Sequence, residues 1–287
     1  MKKILYLLSI AFVLTACEDM SMTVDLDLPE HEPLLVVNSI AESGASLTQV
    51  YVSHSIDPLS SDDFEYVTDA SVVLKENNVL MDEMFCAGDP IYFYTTHEQI
   101  EEGKTYQLEI SHPSYPTTTT EVTAPVSVAI QSVVLGDTSE YTRELQFTIS
   151  DPEEGNYYLL KVFENDGYGW HGVGFETADP SFEDKGLIED GYEGRKVMFN
   201  DQLFNGMSKT FSLDIDYWEG IDSVKVQLYT VSESFYKYHV SRKLQNQSER
   251  GPSSILGAEP VVVYSNIQNG FGVFAVKSKN EFVVATN

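Results

Sequence analysis

KTYQLEIS, which spans residues 104–111, is the stretch of sequence that decides the fold. Its apolar residues Tyr106, Leu108 and Ile110 alternate with polar ones, and this period of two indicates a β-strand with one buried face. Tyr106, at the start of the strand, is either the hydrogen-bonding residue of a tyrosine corner or a plainly packed aromatic side chain. A half-buried strand needs neighbours, and the surrounding sequence supplies them.

Short β-type segments lie on both sides of this strand. They are found at residues 34–37, 47–54, 71–75, 79–85, 91–94 and 117–123. Asn77 and Asn78 separate two of these segments, and asparagine tolerates the positive φ of a tight hairpin turn. About seven short strands with turn residues between them predict an immunoglobulin-like β-sandwich over residues 34–125.

Beyond Pro125, residues 126–287 are predicted to form a second β-rich domain with one amphipathic helix. Its β-type segments are at 126–135, 145–150, 157–163, 211–215, 223–230, 261–264, 272–276 and 282–285. The run from Thr230 to Glu233 has the pattern of a capping box, and an apolar stripe that includes Leu244 recurs every four residues after it. These signals predict a helix over residues 231–247. The protein is therefore expected to be mainly β, with the N-terminal sandwich followed by this second domain.

The N-terminal residues carry a targeting signal. A basic pair, an apolar run over residues 4–14 and a small residue stand directly before Cys17. This arrangement resembles a bacterial lipoprotein signal, in which a Leu-x-Ala-Cys box directs lipid onto the cysteine. We predict a signal peptide at 1–16, lipid attachment at Cys17 and an acidic tether over 17–33. The alternative is an ordinary secretory signal with a chance cysteine.

A lipid, rather than a helix, is expected to hold the chain at the membrane. The apolar run is shorter than the roughly 20 residues that a membrane-spanning helix needs. Lipid on Cys17 leaves Cys86 as the other cysteine, so no intramolecular disulfide is expected. Cys86 lies in an apolar stretch, and we expect a buried, inert thiol rather than a nucleophile.

The charge of the chain limits its partners. There are 45 Asp and Glu residues against 17 Lys and Arg residues, which gives a formal net charge of −28. Such a surface repels nucleic acid and anionic headgroups, so no nucleic-acid partner is predicted. A neutral or cationic partner is compatible with it.

A glycine-rich, aromatic segment at residues 166–192 contains the candidate binding site. Residues 167–172 match G-x-G-x-x-G, but no helix signal follows, and a dinucleotide site is therefore not expected. The candidate ligand-binding residues are Tyr168, Trp170, His171 and Phe175, which offer stacking faces to a glycan or peptide. In the alternative, the loop folds these aromatic side chains onto its own core.

No catalytic or metal-binding pattern stands out. Paired carboxylates such as Asp214 with Asp216 are expected by chance among so many acids. A calcium loop at 151–156 lacks the EF-hand spacing, and no H-E-x-x-H or G-x-S-x-G motif is present. We therefore predict no metal, no cofactor and no enzymatic activity. A hydrolase built from unrecognised carboxylates is the less favoured alternative.

Four stretches together resemble one family. They are DLDLPEHEPLLVVN, GKTYQLEIS, KLQNQ and SNIQNGFGVFAV, and they are similar to the Bacteroidetes lipoproteins of domain of unknown function 4249. Glu18 and Asp19, directly after the cysteine, resemble the export signal of such lipoproteins. The resemblance implies a lipoprotein of the outer membrane, on the cell surface, that acts as a binding or accessory protein beside a TonB-dependent transporter. A structural or adhesive surface protein that binds other macromolecules is the alternative.

Overall fold

The computed structural model is mainly β, which confirms the predicted fold class. It describes residues 31–57, 60, 61, 63–139, 141–182, 188–191, 194–250 and 261–286. The strands are β1 (Leu35–Glu42), β2 (Thr48–His54), β3 (Ser71–Glu76), β4 (Val79–Ala87), β5 (Phe93–Thr96), β6 (Thr105–His112), β7 (Tyr115–Thr123), β8 (Ile130–Thr138), β9 (Thr142–Ser150), β10 (Tyr157–Asn165), β11 (Trp170–Gly172), β12 (Phe175–Glu176), β13 (Ile188–Gly191), β14 (Gly194–Asn200), β15 (Ser208–Asp216), β16 (Ser223–Val231) and β17 (Gly270–Ala285). Within the described ranges one α-helix, α1 (Glu233–Arg250), accompanies them.

The strands form two sheets. The larger sheet has the order β13-β14-β10-β16-β17-β1-β2-β5-β4-β3-β6-β7, with β11 paired to β10. The smaller sheet has the order β12-β15-β9-β8. In the larger sheet β17 pairs antiparallel with β16 and parallel with β1, so the last strand of the chain lies beside the first.

Strand β17 contributes to two hydrophobic cores. Phe274 and Val276, in its first half, are fully buried in the core formed by β1 to β7. Phe282 and Val284, near its end, pack against the core formed by β8 to β16. A single strand of 16 residues therefore runs through both cores. The domain boundary at residues 125 and 126 stays a prediction.

The first core is enclosed because the larger sheet curls back on itself. Strand β7, at the edge, reaches the segment that precedes β17 through a bridge between Thr119 and Gln268. The hydroxyl of Thr120 also donates to the carbonyl of Asn266 at 2.9 Å. The predicted hairpin turn is confirmed, since Asn77 and Asn78 join β3 to β4 with φ of 48° and 67°.

Tyr106 has the geometry of a tyrosine corner. Its ring is fully buried at the start of β6. Its hydroxyl accepts the backbone N–H of Glu101, five residues upstream, at 2.7 Å and donates to Glu76 Oε2 at 3.2 Å. The hydrogen bond back to the upstream backbone ties the β5–β6 connection to the strand, as tyrosine corners do in immunoglobulin-like sandwiches.

The second core lies between the two sheets. Strands β10, β14 and β16 of the larger sheet face β9, β12 and β15 of the smaller one across a layer of buried side chains. Aromatic rings fill its centre: Phe147 and Phe211 stack at 4.8 Å between ring centroids, and Phe182 lies 5.2 Å from Phe211. Such offset and tilted ring pairs are the favoured packing of aromatic side chains.

Helix α1 covers the opposite face of the larger sheet. Leu159, Tyr229 and Val273 point away from the second core and pack with Phe235 of the helix. Because this part of the sheet is buried on both faces, its strands are apolar at consecutive positions, as in YYLLKVF of β10. No helix in the described part of the chain is both long and apolar enough to cross a membrane.

The start of α1 differs from the sequence prediction. Ser232 Oγ accepts the backbone N–H of Phe235 at 3.3 Å, so Ser232 is the N-cap and Glu233 is the first helical residue. Thr230 instead belongs to β16, and its hydroxyl accepts the backbone N–H of Val128 at 3.0 Å. The predicted capping box was therefore wrong by two residues, because β16 continues further than the local pattern indicated.

The core-facing residues of α1 give the first testable prediction. Phe235 is 5% exposed, whereas Leu244, which the apolar stripe placed in the core, is 48% exposed. We expect Phe235→Ala to lower the free energy of unfolding by about 3–5 kcal/mol, since it removes a buried ring and leaves a cavity. Leu244→Ala is expected to change it by less than about 1 kcal/mol. Urea unfolding of both variants checks this, and equal losses would contradict the observed helix orientation.

Candidate functional site

Three loops of the second core meet at one end of the two sheets. The registers pair Asn165, the last residue of β10, with Ser223, and Ser223 with Ala285 at the end of β17. In the smaller sheet, Asp216, the last residue of β15, pairs with Thr142, the first residue of β9. We call the loops that contain residues 138, 139, 141 and 142, residues 166–169 and residues 217–222 the distal loops.

The distal loops contain a cleft with exposed aromatic walls. It has a volume of about 850 Å³ and is lined by Thr138, Ser139, Tyr141, Asp216, Tyr217, Trp218 and Glu219. The side chains of Tyr141 and Trp218 are 71% and 70% exposed, an unusual state for large aromatic residues. The backbone N–H of Tyr217 donates to the carbonyl of Tyr141 at 2.9 Å, which ties the two loops together. We call this the distal cleft.

The sequence-predicted residues of the 166–192 segment divide into two groups. Tyr168 is 97% exposed, and Trp170 and His171 are partly exposed beside it. Phe175, in contrast, is 2% exposed and belongs to the second core, where it offers no face to a ligand. The alternative in which the loop folds its aromatic side chains onto its own core therefore holds for Phe175, and ligand binding by Tyr168, Trp170 and His171 stays a prediction. Residues 183–187 and 192 of that segment lie outside the described residues.

A compact turn positions the exposed aromatic side chains of this loop. Asp166 Oδ1 accepts the backbone N–H groups of Tyr168 and Gly169 at 2.9 and 3.2 Å. These hydrogen bonds lower the pKa of the Asp166 carboxyl. The ring of Trp170 lies under Lys225 Nζ, 4.2 Å from its centroid, in a cation–π contact. The last three residues of the G-x-G-x-x-G match form β11, and β12 rather than a helix follows the match, in contrast to a dinucleotide-binding loop.

Glu164 and Arg143 are two charged residues at the end of the second core that lies next to the distal loops. Glu164 continues the row of buried residues on β10 and is 2% exposed. Burial, together with the nearby charge of Asp216, raises its pKa to about 7, and the charge of Arg143 partly offsets this rise. Arg143, on β9, is the residue that pairs with Ile215 of β15, so it stands at the same end of the smaller sheet.

Glu164 gives a pH-dependent prediction. A carboxyl whose pKa is raised in the folded state stabilises the fold below its unfolded-state pKa and loses that contribution as pH rises through about 7. The free energy of unfolding should therefore fall by up to about 3 kcal/mol between about pH 5 and about pH 8. Glu164→Gln, which keeps the shape but does not titrate, should flatten this dependence in urea unfolding at both pH values. An unchanged slope would show that another group titrates.

Glu164 and Asp216 do not share a cavity in which they could act as an acid and base pair. Asp216 lines the distal cleft, but Glu164 is buried and is not among the lining residues. General acid and base roles require both groups to reach the substrate. Asp214, on the same face of β15, is not a lining residue either. The described arrangement is suited to binding through ring faces and carboxylates.

The described part of the chain contains no assembled site for metal or thiol chemistry. There, no group of three or more His, Cys, Asp or Glu side chains is arranged to hold a metal ion. At the start of the 151–156 connector, Asp151 already accepts the Tyr158 hydroxyl and the backbone N–H of Gly206. Cys86 is half-buried, and burial raises the pKa of its thiol, which keeps it protonated.

No local pattern in the sequence predicted the distal cleft. Tyr141 lies in the polar stretch TSEYT, and Trp218, beside Tyr217, lies in DYWEG, more than 70 residues further along the chain. Each stretch has the composition of a turn, and a large aromatic residue within such a turn was the available signal. Only the pairing of β9 with β15 brings the two turns together.

In a comparison with known proteins, two family models match the N-terminal segment and most of the remaining chain. A family model described as domain of unknown function (DUF4249) matches residues 22–282. A model described as a prokaryotic membrane lipoprotein lipid attachment site matches residues 1–17, ending on Cys17. Cys17 lies outside the described residues, and the match to the attachment site indicates anchoring to a membrane through a lipid on this cysteine. No curated protein matches the chain.

Solved structures show only distant similarity. One is a DUF4785 family protein from Legionella pneumophila, with 11% identity, a TM-score of 0.27 and coverage of 69% of this chain and 52% of that one. Our chain thus spans about half the length of that protein. Another is a structure of manganese lipoxygenase of Gaeumannomyces graminis and zonadhesin of Komagataella pastoris, with 10% identity and a TM-score of 0.20 over 69% of this chain and 88% of that one.

Proposed function

We propose that this chain, which belongs to the DUF4249 family and carries a lipid attachment site, is a binding protein of the outer membrane. Lipid on Cys17 holds it there, on the cell surface. It captures a glycan or peptide at the distal cleft and passes it to a TonB-dependent transporter beside it. It performs no chemistry of its own.

The position of the distal cleft relative to the start of β1 carries this proposal. Leu35, where the segment from Cys17 enters the fold, pairs with Gly270 at the first residue of β17. The distal loops lie at the other end of the same strand, next to Ala285. A strand of 16 residues is about 50 Å long at roughly 3.3 Å per residue. The binding surface is therefore far from the point at which the tether joins the fold.

The chemistry of the cleft supports binding rather than catalysis. Exposed tyrosine and tryptophan faces supply large contact areas at a low cost in side-chain entropy, which is typical of recognition surfaces. Asp216 and Glu219 add hydrogen-bond acceptors at the same cleft. The net charge of −28 favours neutral or cationic ligands over anionic ones.

Two experiments test the two parts of this proposal. Mild crosslinking in cells followed by recovery of the native protein should yield an outer-membrane receptor, and recovery of none across growth conditions would contradict the accessory role. A glycan and peptide array should show a small-ligand signal that Trp218→Ala abolishes and Trp170→Ala reduces less. A signal that neither substitution changes would place binding away from the distal cleft.

A further inference from the structure

We propose that the distal cleft recognises an organic ammonium group, such as a quaternary amine or a lysine side chain. The inference rests on the proposed binding function and names the chemical class of its ligand. It follows from which groups line the cleft, how the backbone of Asp216 is fixed in place, and which groups the described lining does not offer.

The lining combines ring faces with carboxylates. Tyr141, Tyr217 and Trp218 provide three aromatic rings, and Asp216 and Glu219 provide two negative charges. An ammonium ion is attracted to the negative face of an aromatic ring, most strongly to tryptophan, and it pairs with carboxylates. Together these are the two kinds of group that stabilise a cation in an aromatic cage.

The described lining offers no cationic side chain that could pair with an anion. Among the residues described around the cleft, none is Lys, Arg, His, Asn or Gln. Ser139 is a lining residue, but its hydroxyl is used within its own turn, where it accepts the backbone N–H of Thr142 at 3.1 Å. An ammonium group needs acceptors and ring faces only, and the described lining supplies both. The composition therefore favours a cation over an anion.

The backbone of Asp216 is held in a defined position. Its N–H donates to the carbonyl of Gly174 at 3.0 Å, which joins the end of β15 to the segment before β12. A Cβ atom at Gly174 would overlap the Asp216 carboxylate, so the glycine leaves room for this carboxylate.

The size of the distal cleft suits a ligand group with its attached chain. Its volume of about 850 Å³ lies within the range of small-molecule sites, roughly 300–1,000 Å³. The cleft is therefore large enough for a trimethylammonium group or for the end of a lysine side chain that extends out of it.

Calorimetric titration with three small probes tests the inference. Choline and Nα-acetyl-lysine amide carry the ammonium group, and 3,3-dimethyl-1-butanol has the shape of choline without its charge. The two cations distinguish a quaternary amine from a peptide lysine as the source of the group. We expect at least one cation to bind about tenfold or more tightly than the neutral probe, which corresponds to about 1.4 kcal/mol.

Matched variants assign the binding to the cleft. Trp218→Ala and Asp216→Asn should each weaken binding of the cation about tenfold, or about 1.4 kcal/mol. Asp214→Asn removes the same charge two residues away, outside the lining, and should leave the affinity within about twofold. Glu219→Gln provides a second lining variant if Asp216→Asn does not fold.

Three results would overturn the inference. One is equal affinity for choline and its neutral analogue, and another is equal loss in Asp214→Asn and Asp216→Asn, which would indicate only general attraction to an acidic surface. A neutral glycan that binds the wild-type protein and not Trp218→Ala would also refute it. That last result would leave the proposed binding function in place, so the two can fail separately.

Discussion

Gly272→Ala is expected to lower the free energy of unfolding by more than about 3 kcal/mol, since it combines backbone strain with a steric overlap. Gly272 has a φ of 107°, a conformation that residues with a side chain rarely adopt. A Cβ atom there would overlap the carbonyl oxygen of Val37, its partner in the parallel pairing of β17 with β1. Because β17 runs through both cores, the loss should be global rather than local.

A matched glycine tests whether this position is special. Gly155, in the connector between β9 and β10, has no positive φ, and a Cβ atom added to it would meet no other atom within 4 Å. Gly155→Ala should therefore leave the free energy of unfolding within about 0.5 kcal/mol of wild type. Urea unfolding of the two variants, followed by circular dichroism, measures the difference. Similar values for both would refute the requirement for a bare backbone at the β1–β17 contact.

Cys17→Ser is expected to move the protein almost completely from the membrane fraction to the soluble fraction. The lipid attachment match ends on this residue, and each acyl methylene buried in a bilayer contributes about 0.8 kcal/mol. Serine cannot carry the thioether-linked lipid, so all of this contribution is lost. Cell fractionation with an antibody against the chain measures the shift.

The second cysteine provides the control for this experiment. Cys86→Ser removes a half-buried thiol in the first core and leaves the attachment site intact, so this variant should remain in the membrane pellet. Mass spectrometry of the wild-type protein should find an acylated N-terminal cysteine. Wild-type protein with an unacylated first methionine would refute the anchor.

The sequence predicted those elements whose signals are local. Alternation in KTYQLEIS indicated β6, and Asn77 and Asn78 indicated the β3–β4 hairpin, because residue period and turn chemistry act over a few residues. The helix was expected two residues too early, since Thr230 satisfies the local cap pattern but β16 holds it in the larger sheet. Leu244 belongs to the apolar stripe of the sequence, yet its side chain is exposed in the structure.

The candidate site was only partly predictable for the same reason. Tyr168 and Trp170 were recognisable from one glycine-rich loop, but the loop alone does not reveal that Phe175 enters the second core. Tyr141 and Trp218 come from loops that are distant in sequence, and no local pattern relates them. Their shared cleft depends on the β9–β15 register.

The sequence by itself determined the mainly β character, the lipid attachment at Cys17 and the acidic surface, because strand alternation, a targeting signal and charge are properties of neighbouring residues or of composition. The tertiary structure alone decided that the last strand lies parallel to the first, that one strand serves two cores, and that aromatic residues of separate loops share a cleft. These features arise from pairing between segments far apart in the chain, where loop closure and burial of both sheet faces, rather than local preference, set the outcome.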